Sequence, residues 1–312
     1  MDTGTEITSL QTKDLTSNTF VFTHVADSQE FPVHFGNVLK TVYGTTDFLL
    51  HTGDVVESSK YEQEWTSMLQ GNFEYLSKIP MMAISGNHET TYKNGSNETY
   101  KHFHNKIPTQ TSTRQGYFYS FIYGNTKFIM LNTNELSGNQ LKLEQYNWLV
   151  NELKNNTATW TIVAMHNPMY SVGKYGMNET INHACLGLRS QLQALFAQYG
   201  VDLVLQGHDH AVSRTYPISS MGQPQQEIVE MRGGVEYSIN PKGVIYLMNG
   251  TAGYQTREPY ATDSTVYKYA QGSVASSWAQ FEISDYMMKV SVNYYTASGV
   301  KTYQSWGIIK SK

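Results

Sequence analysis

Short apolar runs recur along the chain, and each one ends in a turn rich in Gly, Asn, Asp or His. Each run has the length of a strand and is apolar on both faces, which is typical of strands in a sheet covered on both sides by other layers. The five runs occupy residues 20–25, 48–51, 81–84, 160–165 and 201–205. They predict the central strands of a buried sheet.

Helix-like segments lie between these runs. Apolar side chains recur there at i, i+3 and i+4, and strands that alternate with such helices predict βαβ units and an α/β fold. The segments are 35–43, 61–76, 140–153 and 189–199. After Tyr237 the pattern changes to strands joined by turns, which we expect to form a second, largely antiparallel sheet packed on the first. These strands are predicted at 243–248, 277–283 and 287–295.

The sequence contains no internal repeat and no Pro- or Gly-rich linker. We therefore predict one domain over residues 19–312, preceded by a polar segment over 1–18 that is rich in Thr and Ser. That segment lacks the basic start and apolar core of a signal peptide, so it is typical of a linker left after an export signal or anchor is removed. The 23 Tyr and the single cysteine are typical of exported proteins of Gram-positive bacteria. We expect an extracellular or cell-surface location.

The composition excludes several classes of protein. The 312 residues are 40% hydrophobic and 15% charged, which provides an ample core. No run approaches the ~18–20 apolar residues that a membrane-spanning helix needs. A net charge of −4 without a Lys/Arg-rich run argues against a nucleic-acid partner. Cys185 is the only cysteine, so neither an internal disulfide nor a cysteine zinc site can form.

Each of the five apolar runs is followed by side chains that can bind a metal ion. Ligand sites of open α/β sheets lie beyond the carboxyl ends of the strands, so we expect these side chains to meet. Carboxylates, amide oxygens and imidazoles favour Mn, Zn or Fe, and their number fits two divalent ions that share one carboxylate. The groups are Asp27, Gln29, Asp54, Asn87, His88, His166, His208 and His210.

Two such ions would leave the site positively charged. Their charge exceeds that of the Asp27 and Asp54 carboxylates and one hydroxide, so the pocket would attract a phosphate dianion. A metal pair also lowers the pKa of bound water enough to produce hydroxide near neutral pH. The pattern therefore predicts a small phosphorylated substrate.

Each motif alone also has an ordinary structural explanation. Gly53-Asp54 and Gly86-Asn87 are common turn sequences, and His166 alone could be a buried imidazole with a hydrogen-bond partner. The two histidines of Gly207-His-Asp-His210 follow a buried strand and have no simple packing role. Together and in this order, the motifs favour a metal centre.

The motifs resemble those of the calcineurin-like metallophosphoesterase superfamily, in particular its purple acid phosphatase-like branch. The resemblance spans about residues 20–308. It implies a four-layer α/β/β/α sandwich of two mixed sheets with a dimetal centre at its rim. The matching stretches are Asp27-Ser-Gln29, Gly53-Asp54, Gly86-Asn-His-Glu89, His166, Gly207-His-Asp-His210 and Asn249-Gly-Thr-Ala-Gly253.

The resemblance also implies roles for single residues. Asp54 would bridge the two ions, and His88 would donate to a phosphoryl or leaving-group oxygen. The other ligands would be Asp27 and His210 for the first ion, and Asn87, His166 and His208 for the second. The loop after His166 should border the pocket, so His183 and Arg189 are predicted phosphate contacts. Alternatively, His183 is a surface histidine and Arg189 lies on a helix face.

Two positions depart from the family pattern. The purple enzymes carry a tyrosine three residues after the bridging aspartate, where this chain has Glu57. Other branches carry a histidine two residues after the first aspartate, where this chain has Gln29. We therefore predict no purple colour and a neutral oxygen from Gln29 at the first ion. We expect Glu57 to contact residues near the ligands rather than an ion.

The sequence thus predicts a hydrolase that cleaves phosphate monoesters by attack of metal-bound hydroxide. Two alternatives stay open. One is a phosphodiesterase or nucleotidase of the same fold, and the other is a surface binding protein with a degenerate metal site. The cofactors are expected to be two divalent ions of Fe, Mn or Zn, and the sequence fixes neither the physiological substrate nor the oligomeric state.

Overall fold

The computed structural model describes residues 18–29, 31–90, 102, 117–177, 183–259 and 263–311, so the predicted linker lies almost entirely outside the described residues. Helices pack on the outer faces of two large sheets. The helices are α1 Pro32–Val42, α2 Glu62–Gly71, α3 Phe73–Leu76, α4 Leu143–Lys154, α5 Lys174–Met177 and α6 His183–Gln198. The strands are β1 Phe20–Val25, β2 Phe48–His51, β3 Met81–Ala83, β4 Tyr119–Tyr123, β5 Thr126–Leu131, β6 Leu136–Ser137, β7 Gln140–Leu141, β8 Trp160–Met165, β9 Leu203–Gln206, β10 Ala211–Thr215, β11 Val229–Arg232, β12 Val235–Ile239, β13 Ile245–Asn249, β14 Tyr267–Gly272, β15 Ser277–Ile283, β16 Met287–Thr296 and β17 Gly299–Ile309.

The first sheet combines the first three strands with strands from the end of the chain. β1, β2 and β3 are parallel, and β15 pairs antiparallel with β1. The order across this sheet is β11-β12-β17-β16-β15-β1-β2-β3. The second sheet has the order β14-β10-β13-β9-β8-β5-β4, in which β5, β8, β9 and β13 are parallel.

The expectation that the C-terminal strands form a sheet of their own is wrong. β15, β16 and β17 extend the sheet of β1, β2 and β3, while β13 lies between β9 and β10 in the second sheet. The pattern of apolar and polar positions depends on which faces of a strand are buried, not on which neighbour the strand pairs with. The pattern therefore predicts the strands but not their partners.

Aromatic side chains fill the space between the two sheets. Phe22 of β1 stacks on Phe281 of β15 with 4.3 Å between ring centroids, and it meets the edge of Phe128 of β5 at 5.2 Å. Separate apolar clusters hold α1 and α2 against the first sheet, and α4 and α6 against the second. The layers are helix, sheet, sheet and helix, so the predicted α/β/β/α class is confirmed.

Several predicted helix boundaries shift. The segment 61–76 divides at Asn72, whose φ of −120° and ψ of 15° leave the helical region. Residues from 140 pair as β7 with β6, so α4 begins only at Leu143. Helix α6 begins earlier than predicted, at His183. None of the described helices is long and apolar enough to cross a membrane.

Candidate metal centre

The predicted ligands follow strands of both sheets. Asp27, Asp54 and Asn87 follow β1, β2 and β3 of the first sheet, while His166 and His208 follow β8 and β9 of the second. Contacts between Asp27 and His208 and between Asp54 and His166 join the sheets at this rim. We name these side chains the rim cluster: Asp27, Asp54, Asn87, His166, His208 and His210.

Asp54, His166 and His208 form the first part of the rim cluster. Each offers one ligand atom, and these atoms lie within 4.8 Å of one another. Nε2 of His166 lies 3.4 Å from Oδ2 of Asp54 and 3.0 Å from Oδ1 of Asn87. A carboxylate, two imidazoles and an amide oxygen at these distances fit a divalent ion such as Mn, Fe or Zn.

Asp27 and His210 form the second part, and Gln29 follows Asp27 by two residues in sequence. Nε2 of His210 lies 3.8 Å from Oδ1 of Asp27, and the Asp27 carboxylate accepts from the backbone N–H of His208 at 3.0 Å. The side-chain oxygen of Gln29 is buried and has no hydrogen-bond partner among the described residues. Burying such an oxygen costs free energy unless a cation or a water molecule binds to it. Asp27, His210 and Gln29 are therefore further candidate donors at this rim.

Four residues in these turns have a left-handed backbone. φ is 55° at Asp27, 45° at Gln29, 55° at Asp54 and 72° at His208. This conformation costs a residue that carries a side chain roughly 1–2 kcal/mol. It persists only where the surroundings enforce it, and it concentrates at functional sites. Contacts within the site, rather than local backbone preference, therefore set the shape of these turns.

The buried carboxylate of Glu89 ties the turn after β2 to the turn after β3. Its Oε2 accepts from the N–H groups of Asp54 at 2.8 Å and Gly86 at 2.7 Å, and its Oε1 accepts from Val55 at 2.8 Å and Val56 at 3.1 Å. The two turns approach so closely that a Cβ at Gly86 would lie 2.0 Å from Oδ1 of Asp54. The glycine and the glutamate of the Gly86–Glu89 motif thus position the aspartate of the other turn.

Backbone carbonyls fix the orientation of two histidines. Nδ1 of His166 donates to the carbonyl of Thr52 at 2.8 Å, and Nδ1 of His210 donates to the carbonyl of Gln255 at 2.5 Å. Nε2 of each ring is thereby left to face a carboxylate. Histidines that bind metals are commonly held in this way, because the bond at one nitrogen fixes the tautomer and the ring orientation.

Burial and neighbouring charges shift the pKa values of the rim cluster. Burial lowers the pKa of His166, but the combined attraction of the protonated ring to its neighbours, chiefly the Asp54 carboxylate, is the larger effect. The pKa of His166 therefore rises to about 9. Burial also opposes ionisation of Asp54, yet His166 holds the pKa of that carboxyl well below its usual range. Burial raises the pKa of Asp27 to about 8, and it lowers that of His208 to about 3 and that of His210 to about 4. Neutral imidazoles can bind a metal, and a nearby cation would bring Asp27 into its ionised, ligating form.

His88 lies against the rim cluster in a fixed orientation. Its backbone N–H donates to Oδ1 of Asp54 at 3.0 Å, and Nε2 of its ring lies 3.8 Å from Oδ2 of Asp54. Nδ1 donates to the carbonyl of Glu57 at 2.6 Å and lies 3.5 Å from the Glu57 carboxylate. Burial lowers the pKa of His88, but Asp54 and Glu57 raise it above its usual value. A ring held in this way can donate a proton, and Glu57 contacts that ring, the kind of contact predicted for it.

Arg189 makes its described contacts with residues outside the rim cluster. Its Nε and Nη2 donate to the carbonyl of Met169 at 3.0 and 2.6 Å, and its guanidinium lies 4.3 Å from the ring centroid of Tyr170. These contacts fasten α6 to the segment after β8, which favours the helix-face alternative for Arg189. The side chain of His183 lies outside the described residues, so its phosphate contact stays a prediction.

Tyr175 and Arg257 also border the rim cluster, and neither was predicted from the sequence. The ring of Tyr175 lies 4.3 Å from that of His208. Arg257 is exposed, and its positive charge adds to burial in lowering the pKa of His208 and His210. Their positions depend on how loops fold back over the strands. The one available signal was that Tyr175 lies in the loop expected to border the pocket.

Known proteins resemble this chain in sequence. The model of the calcineurin-like phosphoesterase family matches residues 20–212. Acid phosphatase type 7 of Danio rerio is 27% identical over 277 residues, which cover 79% of this chain and 56% of that protein. Acid phosphatase type 7 of Homo sapiens is 27% identical over 242 residues, which cover 71% of this chain and 51% of that protein. The chain thus spans about half the length of these relatives.

A solved structure resembles this chain in fold. Purple acid phosphatase PPD1 from yellow lupin (Lupinus luteus) seeds superposes with a TM-score of 0.77 at 20% sequence identity. The match covers 96% of this chain and 55% of that one. At this level of identity the likeness shows a shared fold.

Replacing Glu89 by Gln tests whether this carboxylate holds the two turns. Gln keeps the shape but replaces one acceptor oxygen by an amide, so some of the four backbone N–H groups lose their acceptor. We expect the free energy of unfolding in urea to fall by about 2–4 kcal/mol. We expect the affinity for Mn²⁺, measured by calorimetric titration, to fall about 10- to 100-fold.

A matched control is Glu282→Gln, because Glu282 is 52% exposed and pairs with Lys289 on the surface. The control should leave both the unfolding free energy and the metal affinity at wild-type values. A Glu89→Gln protein that matches the control in both measurements would contradict the proposed role of Glu89.

Proposed function

We propose that this chain, which belongs to the calcineurin-like phosphoesterase family, hydrolyses phosphate monoesters with two divalent metal ions as cofactors. The observation that carries the proposal is the meeting of Asp54, His166 and His208, whose ligand atoms lie within 4.8 Å of one another. Asp27 and His210 lie at the same rim. These side chains supply more donors than one ion needs.

The shared ligand would be Asp54, since its carboxylate faces residues from both sheets. Asp27, Gln29 and His210 would complete the first site, and Asn87, His166 and His208 the second. The unpartnered buried oxygen of Gln29 supports its inclusion as a neutral donor. When bound, two such ions would activate an attacking water and neutralise charge on the phosphate oxygens.

His88 is the residue we assign to the leaving group. The carbonyl of Glu57 accepts from Nδ1 at 2.6 Å, so Nε2 is the ring nitrogen left to face Asp54 and the substrate. The leaving oxygen needs a proton as its bond to phosphorus breaks, and an imidazolium can donate one from Nε2. Because Glu57 holds the opposite nitrogen, the donor stays aligned while the bond breaks.

The preference for monoesters follows the relatives, which are named acid phosphatases. The exposed Arg257 beside His208 and His210 fits a small anionic substrate, because a positive charge at the rim attracts it. A phosphodiesterase or nucleotidase of the same fold is the alternative enzyme. A binding protein without turnover is the alternative of another class.

The substrate class is tested by loading the chain with Mn²⁺, Zn²⁺ or Fe²⁺ and comparing kcat/KM for 4-nitrophenyl phosphate and bis(4-nitrophenyl) phosphate. We expect the monoester to be favoured about tenfold or more. We expect a chelator to abolish turnover, because water is then no longer activated. Preference for the diester would support the phosphodiesterase, and a metal-loaded chain that cleaves neither would support the binding protein. Either result contradicts the proposal.

Replacing His88 by Asn tests the proton donor. We expect kcat for a monoester with a poor leaving group to fall about 10²- to 10⁴-fold, because the leaving oxygen loses its acid. The metal content, measured by plasma mass spectrometry, should stay unchanged, since His88 is not assigned as a ligand. His34→Asn is the matched control, because His34 contacts Ser276 and Tyr254, and it should keep wild-type kcat. Wild-type kcat in His88→Asn would remove His88 from the mechanism.

A further inference from the structure

Tyr175 contacts a predicted metal ligand. Its ring centroid lies 4.3 Å from that of His208, with 38° between the ring planes. The side chain is half-buried. Its neighbours Met169, Tyr170 and Val172 are instead buried in the apolar cluster that includes α6. An aromatic side chain with an accessible part thus lies beside the rim cluster.

Asp209 holds the segment that carries Tyr175. This carboxylate is fully buried and follows His208 directly. Its Oδ2 accepts from the hydroxyl of Ser171 at 2.8 Å and from the backbone N–H of Tyr175 at 3.1 Å. The segment passes so close that a Cβ at Gly173 would lie 2.2 Å from Oδ1 of Asp209. Tyr175 is therefore fixed to the same turn that supplies His208.

One positive side chain lies beside this aromatic ring, and a second acts on the rim cluster. Lys174 is exposed, and its Nζ lies 5.8 Å from the ring centroid of Tyr175. Arg257 is also exposed, and its charge acts on His208. A cation beside an aromatic ring, with a second near the predicted metal ligands, suits a ligand that combines a flat ring with negative charge. A phosphate ester of an aromatic leaving group has both features.

We propose that Tyr175 forms a leaving-group subsite, on which the flat ring of a phosphate monoester stacks. The inference rests on the proposed function and names its substrate class: monoesters whose leaving group carries an aromatic or heteroaromatic ring. In hydrolysis, water forms the new bond to phosphorus, the bond from phosphorus to the leaving oxygen breaks, and that oxygen gains a proton. The ring stays on Tyr175 through these steps, so stacking raises kcat/KM for ring-bearing esters only.

The subsite is tested in the metal-loaded chain with the variants Tyr175→Leu and Tyr175→Phe. kcat/KM is measured for phenyl phosphate, adenosine 5′-monophosphate and glycerol 2-phosphate, of which the last has no ring. Each variant is compared with the wild type on the same ester, so that differences in intrinsic reactivity cancel. We expect Tyr175→Leu to lose about 3- to 10-fold on ring-bearing esters and less than about 2-fold on glycerol 2-phosphate. Tyr175→Phe should keep wild-type values, and a loss confined to one ring-bearing ester would identify a phenolic or a nucleoside leaving group.

Binding provides a second readout that does not depend on turnover. Phenylphosphonate and methylphosphonate carry the same anionic group, are not hydrolysed and differ in the ring. We expect the wild type to bind phenylphosphonate more tightly in calorimetric titrations. Tyr175→Leu should remove that difference while its metal content stays unchanged.

Two outcomes overturn the subsite. Equal losses on all three esters would mean that Tyr175 acts only by positioning His208, and unchanged values on all three would mean that no ring stacks there. Hydrolysis of glycerol 2-phosphate by the wild type separates these outcomes from failure of the proposed function. If the wild type cleaves no monoester, the proposed function fails, and the phosphonate pair alone decides whether the subsite exists.

Discussion

The carboxylate of Asp54 must lie ionised and almost fully buried between turns that come from two different sheets. It is 2% exposed, it accepts from the backbone N–H of His88, and it lies 3.4 Å from Nε2 of His166. A buried charge of this kind is costly unless a positive partner compensates it. That partner can be an imidazolium from the second sheet or a metal ion. The other predicted ligands lie around this carboxylate because its buried charge requires positive partners there.

Two carboxylates outside the predicted ligand set keep the turns in place. Glu89 accepts backbone N–H groups from the turns after β2 and β3 of the first sheet, and Asp209 binds the segment after β8 to the turn after β9 of the second. Buried hydrogen bonds to backbone N–H groups stabilise the turns that carry those groups. They offset the left-handed backbone at Asp54 and His208, so the fold itself holds the predicted ligands in place.

The strands and the ligand turns could be predicted from the sequence because both depend on local pattern. The apolar runs at 20–25, 48–51 and 160–165 coincide with β1, β2 and β8. The sheet that a strand joins depends on partners far along the chain, so β15 and β16 were assigned to the wrong sheet. The positions of Asp209 and Tyr175 beside the ligand turns could not be predicted for the same reason, because they depend on which atoms lie nearby after folding.

The number of metal ions bound per chain, in the wild type and in Asp54→Asn, tests this account most directly. Asn keeps the size of the side chain but loses its charge and one acceptor oxygen. Plasma mass spectrometry gives the stoichiometry, and anomalous scattering from crystals locates the ions. We predict two ions in the wild type, and loss of at least one ion together with hydrolysis in the variant. A variant that keeps both ions and the wild-type rate would contradict the account.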